Sequence, residues 1–195
     1  ADTKTLKTLP EREFRAGMME VIKYGVIKHP ALFKLIEEKM TEGGLYPLKE
    51  LPRVIELSCR IKRNVVLEDE MEAGPRMILN YGHTLGHAIE KNAGYGYYLH
   101  GEAVGIGMLW ANRIAVRQGL LSSKVSKRIE VIVKRAGFPS LPKGINAPSL
   151  IETMKKDKKK RQGEVPLILP QDIGRVEITK GISPEDIKDE TEKIN

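Results

Sequence analysis

Apolar side chains recur at helical spacing through most of this chain, and the pattern divides it into successive amphipathic segments. Over 11–28 the positions Phe14, Met18, Val21, Ile22 and Val26 form one stripe, after an irregular lead-in at 3–10. Pro30 starts a second helix over 31–40, which Gly43 and Gly44 close. A third, over 51–68, turns Val54, Leu57, Ile61 and Val65 to one side, with Lys62 at the edge of that stripe. An acidic turn at 68–75 then precedes a helix over 77–92, a Gly/Tyr-rich loop over 94–98, and a long apolar helix over 102–118 ended by Gly119. Ser122 or Ser123 caps a further helix over 122–136, terminated at Gly137. Pro139, Pro142 and Pro148 punctuate a connector, and a short helix follows over 149–156. Two short strands, 165–169 and 175–179, flank a turn at 171–174, and the tail from 183 to 195 reads as a frayed helix. The fold class expected is all-α, a multi-helix domain with one small β-hairpin near the C-terminus.

Composition narrows the picture modestly. A length of 195 residues suits one domain. With 41% hydrophobic but only 5% aromatic residues, its core must be aliphatic. The net charge of +7 fits an acidic small molecule as well as nucleic acid, so charge alone decides nothing. Its densest part, Lys155 to Arg161, reads as a solvated loop; no aromatics interleave it as a stacking platform would need, so no nucleic-acid partner is expected. The lone Cys59 excludes an internal disulfide, suits a reducing cytoplasm, and is expected to be an inert packed thiol. No apolar run approaches the roughly 18 residues of a membrane span. There is neither G-x-G-x-x-G after a strand nor G-x-x-x-x-G-K-[ST], which removes the common nucleotide-binding fingerprints.

Chemistry concentrates between Arg76 and Met108, where His83, His87 and His100 lie. His83 and His87 are four apart and project from one helical face. His100 opens a second run, Gly101 to Met108, whose glycines and alanines allow close approach of another helix. Imidazoles converging in apolar surroundings are good ligands for a divalent metal if a carboxylate joins them; the alternative is that each is a satisfied core histidine. His83-Thr-Leu-Gly-His87 has the histidine spacing of zinc-protease helices but lacks their glutamate base, so a metalloprotease is not expected. Glu20 and Lys23, three apart on the first helix, read as a surface ion pair worth a few tenths of a kcal/mol.

Several motifs together resemble the 3-dehydroquinate synthase family. They are Leu6-Lys-Thr-Leu-Pro-Glu-Arg-Glu-Phe-Arg-Ala-Gly17, Glu20-Val-Ile-Lys23-Tyr-Gly, Asn80-Tyr-Gly-His83-Thr-Leu-Gly-His87-Ala, Leu99-His100-Gly-Glu-Ala-Val-Gly-Ile-Gly-Met and Asp157-Lys158-Lys159. They follow the family's order and spacing over nearly the whole chain, and neighbouring sugar-phosphate cyclases share several. The resemblance implies conversion of 3-deoxy-D-arabino-heptulosonate 7-phosphate to 3-dehydroquinate with release of phosphate. It also implies a cytoplasmic homodimer when intact, binding no nucleic acid and no membrane. The family's N-terminal NAD-binding domain has no counterpart here, so residues 1–10 read as the lead-in from that missing domain and 11–195 as the helical domain binding metal and substrate. By resemblance, Glu20, His83 and His100 match the ligands of Zn2+, replaceable by Co2+. His87 matches a group facing the substrate phosphate, overriding the pairing that spacing suggests. Lys62 and Arg76 match groups on the substrate carboxylate, and Lys23, Asn80 and Lys158 other substrate and phosphate contacts. Thr5, Leu6, Lys7 and Thr8 match a segment touching NAD. Another sugar-phosphate cyclase, or a non-catalytic metal-stabilised helical module, is the alternative.

Overall fold

The computed structural model describes residues 2–71, 74–94, 96–137, 145–160, 166–180 and 184–193, less the side chains of 155 and 157–160. Its axis is the helix that is apolar nearly all round, α5 (His100–Arg117), in which every residue from Gly101 to Asn112 is buried. A helix without a polar face must be surrounded. α1 (Glu11–Ile27), α4 (His83–Ala93), α6 (Ser123–Arg135), the C-terminal α8 (Pro184–Glu192) and the hairpin strand β1 (Leu167–Asp172) surround it, while α2 (Pro30–Lys39) and α3 (Leu51–Glu68) pack on α1 and α7 (Ala147–Lys160) on α4. The all-α expectation with one hairpin holds.

Side-chain caps set several helix starts. His29 Nδ1 accepts from the Leu32 N–H (3.0 Å) ahead of Pro30, and Ser122, rather than Ser123, caps α6 by accepting from Val125 (3.3 Å). The inward stripe of α3 is the expected one. β1 pairs antiparallel with β2 (Arg175–Thr179), Leu167 opposite Thr179 and Ile168 opposite Ile178, and a bulge lies between Pro170 and Asp172. The strand therefore runs further than 169 and the turn is tighter than 171–174, needing the positive φ of Gly174. The Gly174 N–H donates to Val26 O (2.8 Å), tying the hairpin to the end of α1.

Other boundaries also depart from the periodic pattern. The lead-in is ordered as a 3-10 helix, Thr3–Thr8, with Asp2 capping Lys4 at 2.9 Å. α5 begins two residues before the expected 102, because Glu102 reaches back to the Leu99 N–H (2.9 Å) and caps the first turn. α7 is longer than 149–156: Asn146 accepts from Ser149 (3.0 Å) and the proline at 148 fits the first turn. α8 is anchored rather than frayed. Trp110 Nε1 donates to Thr191 (3.1 Å), and Arg117 pairs with Asp186 (2.7 Å) and Asp189 (2.8 Å). Cys59 is exposed, contrary to expectation, since it lies off the Val54–Leu57–Ile61 stripe. Among the described residues no helix is long and apolar enough to cross a membrane.

Candidate metal centre

The predicted helix 77–92 is broken, and the break makes the centre. Residues Pro75–Asn80 form a 3-10 turn, steadied by Asp69 Oδ2, which accepts the N–H groups of Gly74 (2.8 Å) and Arg76 (3.0 Å). Tyr81 turns away, Gly82 takes φ +81°, and α4 starts afresh at His83. A side chain at Gly82 would meet Met108 and the carbonyl of Val104, so glycine is required both by conformation and by the closeness of α5. Breaking the helix frees the Tyr81 carbonyl, which stands 3.1 Å from His83 Nδ1.

A carbonyl oxygen only accepts, so His83 Nδ1 carries its proton there and its Nε2 presents a lone pair. Burial first, and the Lys23 ammonium next, push the His83 imidazole down to about 4, leaving it neutral. His100 Nδ1 stands 3.2 Å from Glu90 Oε1, which orients its Nε2 in the same sense. The two Nε2 atoms face each other at 3.3 Å. Glu20 Oε1 lies 3.9 Å from one and 4.0 Å from the other, and is buried without a hydrogen-bond partner. Two lone pairs and an orphaned carboxylate oxygen turned on one point repel each other, and a cation between them relieves that repulsion. Two nitrogens on one tetrahedral zinc, each at roughly 2.0–2.1 Å, stand about 3.3–3.4 Å apart, so the two imidazoles already have the spacing of such a site, with the Glu20 oxygen a little farther off at 3.9 and 4.0 Å. The ligand atoms of Glu20, His83 and His100 all fall within 4.8 Å of one another, as do those of His87, Glu90 and His100.

Lys23 corrects the expectation of a surface ion pair. It is 3% exposed and donates to Glu20 Oε2 at 2.7 Å. Burial is the first influence on both groups: it holds the Lys23 ammonium below its ordinary range, with Glu20 opposing, and would raise the Glu20 carboxyl, but Lys23 and the two histidines outweigh it and leave Glu20 below the usual carboxylate value. Lys62 is exposed and close enough to Lys23 for their charges to repel. Arg76 is half-buried, one arm donating to Glu70 O at 2.6 Å, and Asn80 ends the 3-10 turn, also half-buried. His87 is exposed, its ring 5.4 Å from that of His83 and 5.8 Å from that of His100. Thr5, Lys7 and Thr8 are exposed on the N-terminal 3-10 helix, while Leu6 packs against the core. Lys158 belongs to α7, with its side chain outside the described residues.

Two residues at this centre were not singled out from sequence. Glu90 follows His83 and His87 at helical spacing on α4, a signal that was legible. Glu102, 5% exposed, is gripped by Arg12 through two contacts of 2.7 Å, and Arg12 also donates to Tyr97 O (2.7 Å). That fork joins the first turn of α1 to the first turn of α5, hence the helix of Glu20 to the residue that presents His100.

The depressed His83 has a measurable consequence in chelator. Its folded pKa of about 4 lies below the ordinary 6.5, so the unfolded chain binds the proton first as pH falls. The stability this group confers is complete above pH 6.5 and is lost on going down to about 4, on the order of 3 kcal/mol in all. Denaturant unfolding across that range should show it, and His83→Asn should flatten the slope; equal slopes would refute it.

A family model described as 3-dehydroquinate synthase C-terminal matches residues 17–160. A 3-dehydroquinate synthase from Prochlorococcus marinus is 47% identical over 196 residues, covering 99% of this chain and 53% of that protein. A crystal structure of 2-deoxy-scyllo-inosose synthase complexed with carbaglucose-6-phosphate, NAD+ and Co2+ superposes with a TM-score of 0.86 at 26% identity, over 99% of this chain and 54% of the other. The 2-epi-5-epi-valiolone synthase of Streptomyces hygroscopicus subsp. jinggangensis 5008, with NAD+ and Zn2+ bound, has the same fold (TM-score 0.85, 23% identity, 99% and 54% covered). The chain spans about half the length of the curated relatives it matches.

Proposed function

The chain belongs to the 3-dehydroquinate synthase C-terminal family, and from that membership and the geometry of the centre we propose that it is the metal- and substrate-holding part of an enzyme converting 3-deoxy-D-arabino-heptulosonate 7-phosphate to 3-dehydroquinate with loss of phosphate. The observation that carries the reading is the pair of Nε2 atoms 3.3 Å apart beside the orphaned Glu20 oxygen. Glu20, His83 and His100 hold a divalent ion, zinc or cobalt. Bound there, it supplies Lewis acidity to a substrate hydroxyl, and NAD, held mainly by a separate N-terminal domain, supplies the hydride acceptor.

The chain's own residues bind and orient. Lys23, fixed by its bond to Glu20, holds an ammonium at the edge of the centre where it can donate to a substrate oxygen. Arg76 offers a planar fork suited to a carboxylate, with Lys62 adding charge. His87, exposed beside the His83 and His100 rings, and Asn80 and Lys158 suit the phosphate end. Thr5 to Thr8 lie on the surface that meets NAD. The reaction class and the single cysteine support a cytoplasmic setting. A related cyclase activity is the second reading, favoured by the superposition on 2-deoxy-scyllo-inosose synthase; a substrate without a carboxylate would leave the Arg76 fork unused.

The test is metal binding by the chain itself. One equivalent of Zn2+ or Co2+ should bind, and Glu20→Ala, His83→Ala or His100→Ala should each weaken it by at least about 100-fold, while His87→Ala should retain it. Loss on His87→Ala with retention on His83→Ala would overturn the assignment.

A further inference from the structure

His100 and His83 are held by unlike means. His83 is enclosed and locked by a backbone carbonyl, whereas His100 is 46% exposed at its side chain and stands at the first position of its helix. Glu90, 19% exposed, reaches it from α4 with Oε1 at 3.2 Å from Nδ1. We propose that Glu90 is the positioning residue of this centre: by accepting the Nδ1 proton of His100 it fixes the tautomer and rotation of that ring, and thereby sets the affinity of the Glu20–His83–His100 site for a divalent cation. The inference rests on the metal-binding reading above.

With the proton on Nδ1, the lone pair of His100 Nε2 must face His83 Nε2. Without Glu90, the ring can place its proton on Nε2 instead and donate it to the His83 lone pair, and the donor set collapses into a hydrogen bond. Rigidity comes from the close approach of α4 and α5, where a side chain at Gly86 would meet the backbone of Ala103 and Val104. Glu90 therefore moves with α4 while His100 moves with α5, and their contact reports the register of the two helices. Carboxylate partners of metal-bound histidines act in this way generally, and losing one weakens metal binding about 10–100-fold. A competing role exists, because His87, Glu90 and His100 themselves group within 4.8 Å and Glu90 would then be a ligand to a second ion.

The experiment titrates the 195-residue chain and its Glu90→Ala and Glu90→Gln variants with Co2+, following the visible spectrum, and with Zn2+ by competition. Thermal unfolding in chelator checks that the variants fold alike. Glu90→Ala should keep one equivalent, bind it about 10–100-fold more weakly, and shift the cobalt spectrum. Glu90→Gln, whose amide oxygen can accept the same proton, should recover most of the affinity. Affinity of Glu90→Ala within twofold of the parent overturns the proposal, and so does a fall from two equivalents to one, which would make Glu90 a ligand. A parent chain that takes up no ion overturns both this inference and the functional reading beneath it.

Discussion

Residues 1–195 alone, given the heptulosonate phosphate, NAD+ and zinc, are expected to release phosphate at least about 10⁵-fold more slowly than a full-length dehydroquinate synthase. The hydride acceptor must lie against the reacting carbon, and holding two reactants in register is worth roughly 7–11 kcal/mol of barrier, which free NAD+ in solution cannot replace. The segment proposed above to touch that cofactor is the short 3-10 helix, whose Thr5, Lys7 and Thr8 are exposed. Fusing a relative's NAD-binding domain ahead of Ala1, or supplying it separately, should raise turnover by orders of magnitude. Phosphate release by the unaided chain at the full-length rate would refute both this expectation and the division of labour proposed above.

Gly107→Ala is expected to destabilise the chain by about 3 kcal/mol or more, at the upper end of overpacking effects. A Cβ there would overlap the carbonyl oxygen of Gly82, a backbone atom that no rotamer change can move. Gly82 is the residue before His83, so the displacement passes directly to a proposed ligand, and metal affinity should fall together with the melting temperature. Gly17→Ala is the control: the position is exposed on α1 and nothing lies within 4 Å of the added carbon. That change should stabilise by about 0.5–1 kcal/mol through helix propensity alone. Equal melting temperatures for the parent and Gly107→Ala would show that the two helices can separate at little cost.

The difference between those two glycines shows where local pattern stops being informative. Both sit in sequences that read as helix, and the residues on either side do not distinguish them. What separates them is a carbonyl from an element 25 positions away in sequence. Much was nonetheless legible. The stripes at 14–26 and 54–65 specified helices, because a period of 3.6 and a need to bury apolar surface leave few other solutions. The second also gave its inward face, whereas in the first Phe14 and Val21 are only half-buried and Met19 and Ile27, outside the stripe, are buried. The apolar run through Trp110 was long and nearly without polar positions, which required α5 to be surrounded. His83, His87 and His100 were visible as a cluster, and motif resemblance singled out Glu20 as their companion. Tertiary structure alone decided how these groups act. Helical spacing treats 77–92 as continuous, yet the close passage of α5 over Gly82 breaks it and frees Tyr81 O to set the tautomer of His83. The same reading places Glu20 and Lys23 in an ordinary surface pair, but the packing of α1 buries Lys23 and turns the free oxygen of Glu20 toward two imidazoles. Periodicity reports which face of a helix is apolar; which polar groups lie beside that face, and with what partners, depends on elements far apart in the chain.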